Sequence, residues 1–445
     1  MTAELRVEQS SLVLIVGYGA HGQAVADALT RRGIGVTVAD DRPSERARAH
    51  AASHGVSLTV GPTGPELVEL VRAATHLVPT PGLPDHHPAF AAARAAGVPV
   101  IGEFDLANQW DNRPIVAVTG TNGKTTVTTL VTEMLRASGR RALMAGNMDV
   151  PLVTAIDDPS PELFVVEASS FRLGHASTFA PQVGVWLNFE PDHLDAHASL
   201  AAYEAAKARI WRNLGPDGLA IANIDDATVM RNVPSDVAVQ TFGPGGDAYC
   251  DGGALIIHGE ELVRADELHR RLPHDLDNAL AAALAALGAG ASRDGVQSVL
   301  RSFRGIAHRM ELIADVDGVR WFNDSKATTP HAVLAGLAGF DSAVLIAGGR
   351  NKGVDLTELT AAAGRLRAVV AIGEAAGEVA EAFGGTVAVS RADSMVCAVE
   401  TAGRLSEPGD AVVLSPACTS YDWYPNYARR GEDFTRVVHE YLESA

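Results

Sequence analysis

Short apolar runs rich in β-branched residues alternate with alanine-rich segments over the first hundred residues. The run at residues 12–16 leads through a glycine-rich turn into a helix that should end near Arg31, and the next run lies at residues 36–40. A strand, a crossover helix and a second strand form the βαβ unit of a parallel sheet. Another strand is predicted at residues 98–102, so we place a domain boundary at Gly102.

The alternation of strands and helices begins again at residues 115–118. That run enters a second glycine-rich loop and then a helix that should end near Ser138. An apolar helix at residues 279–287 lies near the end of this region, and a third α/β series follows Gly305. Further strands are predicted at residues 163–166, 183–187, 343–347, 368–372 and 411–414.

Composition excludes several classes of protein. A chain of 445 residues with 47% hydrophobic and 20% charged residues has the make-up of a globular protein of roughly two to four domains. The formal net charge of −18 argues against binding to nucleic acid or to an anionic membrane, because clustered Lys and Arg drive such binding. The longest apolar stretch, residues 279–291, is shorter than the roughly 20 residues of a membrane span. Three scattered cysteines suit a reducing compartment, so we expect a cytoplasmic protein.

The glycine-rich segment after the first strand, residues 17–22, has the pattern of a dinucleotide-binding turn. Its glycines would let a diphosphate approach the backbone at the positive end of a helix dipole, and Asp40 ends the next strand. The pattern leaves three interpretations open: a diphosphate-bearing ligand, NAD, or a tight turn with a structural role only.

The second glycine-rich loop, residues 119–126, carries a stronger nucleotide signal. Val118 replaces the first glycine of the strict GxxxxGK[ST] pattern, but the rest of the pattern is present. Backbone amides can bind phosphate oxygens, Lys124 can neutralise the β- and γ-phosphates, and the Thr125 hydroxyl can reach a Mg²⁺ ion. We therefore expect ATP or GTP to bind here.

Two polar clusters follow later strands of the same region. Glu167 ends the strand at residues 163–166, on the edge where parallel sheets bind ligands, and is either a metal ligand or a helix cap. In the acidic and histidine-rich segment 188–197 we choose His193 as one ligand of a mixed Mg²⁺ or Mn²⁺ shell and expect His197 on the surface.

Lysine is rare, since only four of the 36 basic residues are lysines. Arginine cannot replace a primary amine that must lose its proton, so these four are candidates for special chemistry. Lys124, Lys326 and Lys352 lie in polar or glycine-rich loops. Lys207, on a predicted helix, is either an ordinary partner of Glu204 or a buried reactive amine, and the sequence does not decide between them.

We therefore predict an α/β protein of three domains. Residues 1–102 would form a Rossmann-like N-terminal domain, and residues 103–304 a central P-loop ATPase-type domain with a parallel sheet. Residues 305–445 would form a C-terminal Rossmann-like α/β domain.

Together these motifs resemble the Mur ligase superfamily of peptidoglycan synthesis along essentially the whole chain. The matching segments are residues 119–126, 146–147, 167–170, 192–195, 206–207, 308–309, 323–328 and 415–420. They are most similar to the D-glutamate-adding members, because Gly82, Gly102-Glu103 and Asp422 also match. The Asp-Asn-Pro-Arg motif of the diaminopimelate- or lysine-adding ligases does not occur in the sequence.

The resemblance implies an activity. The protein would be an ATP-dependent amide ligase that adds D-glutamate to UDP-N-acetylmuramoyl-L-alanine through an acyl phosphate, a cytoplasmic step of cell wall biogenesis. ATP and two Mg²⁺ ions would be its cofactors, and it would act as a monomer. Two other functions stay open: the L-alanine-adding reaction of the same superfamily, and an NAD-dependent oxidoreductase that would use only the first glycine-rich loop.

The resemblance also implies a role for each matching residue. Catalysis would depend on Lys124, Glu167, His193 and Lys207. ATP would contact Gly120, Thr121, Asn122, Gly123, Lys124, Thr125, Thr126, Asn278, Arg309 and Asp324. Magnesium would be held by Thr125, Glu167, His193 and a carbamylated Lys207. The UDP-sugar would contact Gly19, Ala20, His21, Asp41, Arg42, Gly82, Asn147 and His193. D-Glutamate would contact Lys326, Thr328, Lys352, Ser420 and Tyr427.

Some positions depart from the family pattern. His274-Asp275 stands where His-Asn is usual, Thr329 replaces an Asn, and Tyr427 replaces a Phe. Lys326 and Lys352 belong to the last domain and the nucleotide loop to the central one, so the resemblance also implies that the C-terminal domain closes over the site and excludes water.

Overall fold

The computed structural model describes residues 5–147, 150–192, 196–351 and 353–444. The chain divides into two compact units, residues 1–303 and 304–445. Among the described residues, no helix combines the length and the apolar character that crossing a bilayer requires.

The first sheet has four parallel strands in the order β3-β2-β1-β4. Its elements are β1 (Leu12–Val16), α1 (Ala20–Arg31), β2 (Gly35–Asp40), α2 (Glu45–His54), β3 (Ser57–Val60), α3 (Gly64–Ala73), β4 (His76–Pro79), α4 (Pro88–Ala96) and α5 (Glu103–Trp110). Because β1 pairs with both β2 and β4, the loops after these three strands meet at one edge. The strand predicted at residues 98–102 is wrong: only an isolated bridge joins Val100 to Leu77, since Pro99 has no amide hydrogen to donate.

The second sheet has nine strands in the order β13-β12-β11-β10-β9-β8-β5-β7-β6. Its elements are β5 (Ile115–Thr119), α6 (Lys124–Ala137), β6 (Ala142–Gly146), α7 (Leu152–Ala155), β7 (Leu163–Glu167), α8 (Ser170–Leu173), β8 (Val183–Trp186), α9 (Leu200–Ala208), β9 (Leu219–Asn223), α10 (Ala227–Arg231), β10 (Ala238–Phe242), β11 (Ala248–Asp251), β12 (Ala254–Ile257), β13 (Glu260–Arg264), a 3₁₀ turn (Ala265–Glu267), α11 (Pro273–Gly288) and α12 (Arg293–Ser302). In the order of the sheet, all neighbouring strands from β11 across to β6, including β5, pair in parallel. Strands β11, β12 and β13 form an antiparallel meander. Helices α6, α11 and α12 cover one face with a continuous apolar core.

The second unit has a six-stranded sheet in the order β14-β15-β19-β16-β17-β18. Its elements are β14 (Glu311–Val316), β15 (Val319–Asn323), α13 (Pro330–Leu337), β16 (Ala343–Gly348), a 3₁₀ segment (Leu356–Arg365), β17 (Leu366–Ile372), α14 (Ala376–Ala382), β18 (Ala388–Ala392), α15 (Met395–Leu405), β19 (Ala411–Ala417) and α16 (Tyr427–Ser444). Within the described part of this sheet, β14 and β15 pair antiparallel and the other neighbouring strands pair in parallel. The predicted α/β fold with parallel-rich sheets is confirmed. The sequence pattern missed β18, because it is an edge strand that lacks a continuous apolar run.

Candidate active site

The second glycine-rich loop joins the buried strand β5 to the first turn of α6. Gly123 caps the helix with φ of 83°, in the left-handed region that favours glycine. A Cβ atom at Gly123 would lie 2.4 Å from Oδ1 of Asn278, so a larger residue does not fit. The same closeness places Asn278, predicted to contact ATP, against the nucleotide loop.

Asn188 shapes this loop from the neighbouring strand end. Its Oδ1 accepts hydrogen bonds from the amides of Thr121 and Asn122, both at 2.9 Å. The Thr121 hydroxyl contacts the carbonyl of Glu190 at 3.2 Å. Sequence reasoning did not select Asn188, because nothing in the chain order indicates which side chain faces the loop amides.

The side chains of Lys124 and Lys207 meet at the carbonyl oxygen of Gly120. Nζ of Lys124 donates to this oxygen at 3.0 Å and to that of Thr121 at 2.8 Å, while Nζ of Lys207 donates to Gly120 O at 2.6 Å. Lys207 is 1% exposed. Burial, followed by the charge of Lys124, lowers the pKa of Lys207 well below its ordinary value.

Glu204 is not the partner of Lys207. Its carboxylate binds Arg231 instead, with Nε at 2.8 Å, and also Asn232. Nζ of Lys207 lies 4.6 Å from the ring centroid of Tyr203. Of the two interpretations that the sequence left open, the structure therefore favours the buried amine.

Glu167 is a buried carboxylate at the end of β7, where it pairs in register with Val118 just before the nucleotide loop. It is 3% exposed, and its Oε1 accepts from Nδ2 of Asn147 at 3.1 Å. Its Oε2 is buried with no hydrogen-bond partner among the described residues. Ser169, rather than Glu167, is the N-cap of α8, so the capping interpretation loses its support.

An unpaired buried carboxylate oxygen is costly unless something else satisfies it. A magnesium ion would do so, because Mg²⁺ prefers hard oxygen ligands. Glu167 therefore fits the predicted metal site, and the hydroxyl of Thr125 lies on the first turn of the helix that follows the loop. His193, the other predicted ligand, lies outside the described residues.

The predicted contacts of the UDP-sugar between residues 19 and 82 lie after the carboxyl ends of three adjacent strands of the first sheet. Gly19 caps α1 after β1, Asp41 and Arg42 follow β2, and Gly82 follows β4. The carboxylate of Asp40 accepts from the amides of Tyr18 at 2.5 Å and Arg42 at 2.8 Å. Asp40 therefore orders two of these loops.

His21 belongs to a buried ionic cluster with Glu103 and Arg172. The guanidinium nitrogens of Arg172 lie 3.0 Å from the ring nitrogens of His21, and Nε2 of His21 lies 3.2 Å from Oε2 of Glu103. Burial opposes the charge of Glu103, but Arg172 and His21 outweigh it and lower its pKa to about 2.

This cluster connects the start of α1 with α5 and α8. Sequence reasoning selected His21, named Glu103 only as part of the family pattern and missed Arg172; both partners are more than 80 residues away from His21 along the chain. His197, expected on the surface, is buried at 7% exposure, and its Nε2 lies 3.0 Å from Oγ of Ser170. That expectation was wrong, because an aromatic cluster with Phe171 and Tyr203 encloses the ring.

In the second unit, the predicted residues follow the adjacent parallel strands β15 and β19. Lys326 and Thr328 come after β15, and Ser420 after β19. Nζ of Lys326 lies 5.8 Å from the ring centroid of Tyr427. Lys352, also predicted to hold D-glutamate, lies outside the described residues.

Asp324 is buried between Ser415 and the loop before β14. Its oxygens accept from the Ser415 hydroxyl at 2.7 Å and the amide of Met310 at 3.2 Å. Burial raises its pKa to about 6, and the hydrogen bonds and the nearby Arg309 reduce the effect. The predicted role of Arg309 and Asp324 with ATP stays a prediction.

Arg430 on α16 holds the loops after β15 and β19, and sequence reasoning missed it. It is 1% exposed and donates to Oγ and O of Ser325, both at 2.9 Å, and to O of Cys418 at 3.1 Å. Burial lowers its pKa to about 10. Arginine on an amphipathic helix is usually solvated, so the sequence contained no signal for this role.

Comparison with known families gives three matches in chain order. The Mur ligase MurD-like N-terminal domain matches residues 11–102, the Mur ligase middle domain residues 118–286, and the Mur ligase glutamate ligase domain residues 308–418. A UDP-N-acetylmuramoylalanine–D-glutamate ligase from Pelotomaculum thermopropionicum is 40% identical over 96% of this chain and 97% of its own length. A ligase of the same name from Frankia casuarinae is 42% identical over 96% of this chain and 93% of its own length.

The chain belongs to the Mur ligase family. The fold of the chain is similar to that in the crystal structure of MurF ligase from Thermotoga maritima in complex with ADP. The TM-score is 0.55 and the sequence identity is 18%, with 100% of both chains covered. The Mur ligase family is ATP-dependent, in agreement with the nucleotide that the second glycine-rich loop predicts. The alternative of an NAD-dependent oxidoreductase has no support from these matches.

In this Mur ligase, Asp275 occupies the position where the family pattern usually has Asn. Its carboxylate accepts from the amide of Leu272 at 3.3 Å, which closes the N-terminus of α11, and from Nε of Arg270 at 2.9 Å. The carboxylate of Asp275 therefore has a structural function at the start of α11. An asparagine amide would serve this function less well, because the carboxylate also balances the charge of Arg270.

Proposed function

We propose that this protein joins D-glutamate to UDP-N-acetylmuramoyl-L-alanine with cleavage of ATP to ADP and phosphate, a step of peptidoglycan synthesis. The observation that carries the proposal is the meeting of Lys124 and Lys207 at the Gly120 carbonyl, beside a strand end where Glu167 has an unpaired oxygen. Relatives of that name at about 40% identity along the whole chain support the choice of substrates.

In the first step the terminal carboxylate of the UDP-sugar peptide attacks the γ-phosphate of ATP, the bond between the γ-phosphorus and the bridging β–γ oxygen breaks, ADP leaves, and an acyl phosphate results. Two anions must approach each other, so the site has to neutralise negative charge. Lys124 and the loop amides would hold the phosphates, and Asn278 would position the nucleotide against Gly123. Thr125, Glu167, His193 and a carbamylated Lys207 would hold two Mg²⁺ ions, which would supply further neutralisation when bound.

Carbamylation of Lys207 requires a neutral amine. The amine adds to CO₂, loses a proton and becomes an N-linked carbamate anion. The lowered pKa of Lys207 favours this reaction, because the buried side chain carries its proton less readily beside Lys124. An anion here would also balance the charge of Lys124.

In the second step the amine of D-glutamate attacks the acyl phosphate, the amide bond forms, and phosphate and a proton leave. Lys326, Thr328, Lys352, Ser420 and Tyr427 would bind the two carboxylates of D-glutamate. The UDP-sugar would lie on Gly19, Ala20, His21, Asp41, Arg42 and Gly82, with Asn147 nearer to the reacting end. We include four further predictions in the proposal. The chain divides into three domains at residues 102 and 304, the protein is a monomer, its C-terminal domain closes over the site, and it is located in the cytoplasm.

The decisive experiment measures phosphate release from ATP with UDP-N-acetylmuramoyl-L-alanine, with and without D-glutamate. We expect release to require both substrates and Mg²⁺. UDP-N-acetylmuramate with L-alanine serves as the matched control, because turnover of that pair would favour the L-alanine-adding reaction. Phosphate release that ignores D-glutamate would contradict the proposal.

A further inference from the structure

Two histidines and an aspartate form a cluster on the first two helices and include none of the residues assigned above. Asp27 lies on α1, and His50 and His54 lie one turn apart on α2. One ring nitrogen of each histidine and one oxygen of Asp27 lie within 4.8 Å of one another. We infer that this cluster is a binding site for a borderline divalent metal ion, of which Zn²⁺ is the best match.

The hydrogen bonds of the two imidazoles orient them for such a role. Nδ1 of His54 lies 2.9 Å from the carbonyl oxygen of His50, and because a carbonyl only accepts, this nitrogen carries the proton. The lone pair of His54 is therefore on Nε2. Metal-binding histidines commonly donate their other ring N–H to a backbone carbonyl in this way.

His50 has a matching arrangement with Tyr18. Its Nδ1 lies 3.0 Å from the Tyr18 hydroxyl, and its Nε2 lies 3.4 Å from Oδ2 of Asp27. The hydroxyl can accept as well as donate, so His50 can hold its proton on Nδ1 and present Nε2 to a metal ion. The Nε2–Oδ2 separation already equals the roughly 3.4 Å between two ligands that are each about 2.1 Å from a tetrahedral ion.

The ligand set selects the class of ion. Two imidazoles and one carboxylate suit Zn²⁺, Co²⁺, Ni²⁺ or Cu²⁺, whereas Mg²⁺ prefers oxygen ligands throughout. The two rings stack at 4.1 Å between centroids with an angle of 15°. His54 is exposed and can close the remaining distance by a rotation of its side chain. Three protein ligands leave a fourth position for water.

The location gives the site a consequence. A bound ion would join α2 to α1, and through His50 it would hold Tyr18 of the first glycine-rich loop, whose amide donates to Asp40 at the end of β2. Metal binding should therefore stabilise the N-terminal part of the first unit by mass action.

Isothermal titration of the metal-free, full-length protein with Zn²⁺ in excess Mg²⁺ tests the inference. We expect one equivalent of Zn²⁺ to bind to the wild type and to be lost in His54→Gln and in Asp27→Asn. His439→Gln, which removes an exposed histidine on α16, is the matched control and should keep that equivalent. Equal Zn²⁺ stoichiometry in the wild type and in His54→Gln would overturn the inference, as would no binding to the wild type.

Two further readouts exclude an indirect effect. Zn²⁺ should raise the thermal unfolding midpoint of the wild type and not that of His54→Gln, and the two proteins should unfold at the same temperature without Zn²⁺. Tyr18→Phe should weaken Zn²⁺ affinity about tenfold. This is the lower limit of the loss in affinity that follows when a hydrogen-bond partner of a metal-binding histidine is removed. An unchanged affinity would remove Tyr18 from the site. Because these readouts measure metal binding, their failure leaves the proposed ligase reaction untouched.

Discussion

Lys207 and Lys124 donate to the same acceptor, the carbonyl oxygen of Gly120, at 2.6 and 3.0 Å. Two ammonium groups this close repel each other, and burial adds a further cost for the less exposed one. Lys207 therefore favours the neutral form or a reaction that turns it into an anion. Either outcome requires a lysine, since arginine keeps its proton.

Replacing Lys207 should abolish most of the ligase activity. We expect a loss of at least about 100-fold in kcat for both Lys207→Ala and Lys207→Arg, comparable to the loss of one preorganised charge in an active site. Short carboxylic acids should partly restore Lys207→Ala, because a free carboxylate can occupy the place of the carbamate. Lys207→Arg should not respond, since its side chain fills that space. Full activity of either variant would exclude the carbamate.

Glu167→Gln separates a metal ligand from a structural acid. The variant should lose activity and need more Mg²⁺ for half-maximal rate, because an amide is a poorer ligand than a carboxylate. Its unfolding midpoint without Mg²⁺ should equal or exceed that of the wild type, since the unpaired buried oxygen of Glu167 loses its charge. Glu162→Gln, near the start of the same strand and partly exposed, is the control and should leave the Mg²⁺ requirement unchanged. A large loss of stability in metal-free Glu167→Gln would indicate a structural acid.

The cluster of His21, Glu103 and Arg172 should make stability depend on acid pH. The folded-state pKa of Glu103 is lowered to about 2, so its contribution is complete above the ordinary glutamate pKa of 4.5 and is lost as the pH falls from there toward 2. Glu103→Gln should destabilise the protein by about 3 kcal/mol near pH 7, because Arg172 is left as an unpaired buried charge.

Thermal unfolding of wild type and Glu103→Gln at pH 7 and at pH 3 measures this effect. The difference in midpoint should shrink at the lower pH. The double variant Glu103→Gln/Arg172→Met should be more stable than the sum of the single changes predicts, since the two side chains interact directly. Strict additivity would show that the pair does not act as a unit.

Arg430 should affect the binding of D-glutamate without touching it. Arg430→Met removes three donors from the loops that carry Lys326 and Ser420, so we expect KM for D-glutamate to rise several-fold while KM for ATP stays constant. Arg430→Lys should recover part of the loss, because an ammonium group can replace one of the donors. The adjacent Arg429 is exposed and pairs with Glu432, which makes Arg429→Met the matched control. A parallel rise of both KM values would indicate general loosening of the unit.

Many elements of the fold follow from the local pattern of the sequence. The apolar runs predicted as strands are buried strands of five to seven residues in the structure: β1, β5, β16, β17 and β19. Short continuous apolar runs bounded by glycine-rich loops are typical of buried strands. The predicted strand at residues 98–102 failed because Pro99 cannot donate to a ladder. The sequence did not predict the antiparallel meander from β11 to β13. Short amphipathic strands are stabilised by packing against neighbouring strands, so their local sequence gives a weak signal.

The sequence by itself determined that a loop with the glycine spacing of a phosphate-binding loop lies between β5 and α6, and it marked the four lysines as candidates for special chemistry, because glycine spacing and residue chemistry are local properties. Only the tertiary structure decided that Lys207 is a buried amine beside Lys124, that Glu167 has an unpaired oxygen, and that Glu103, Arg172 and Arg430 hold the loops in place. Burial and charge–charge contact depend on groups that are distant along the chain, and packing alone brings them together.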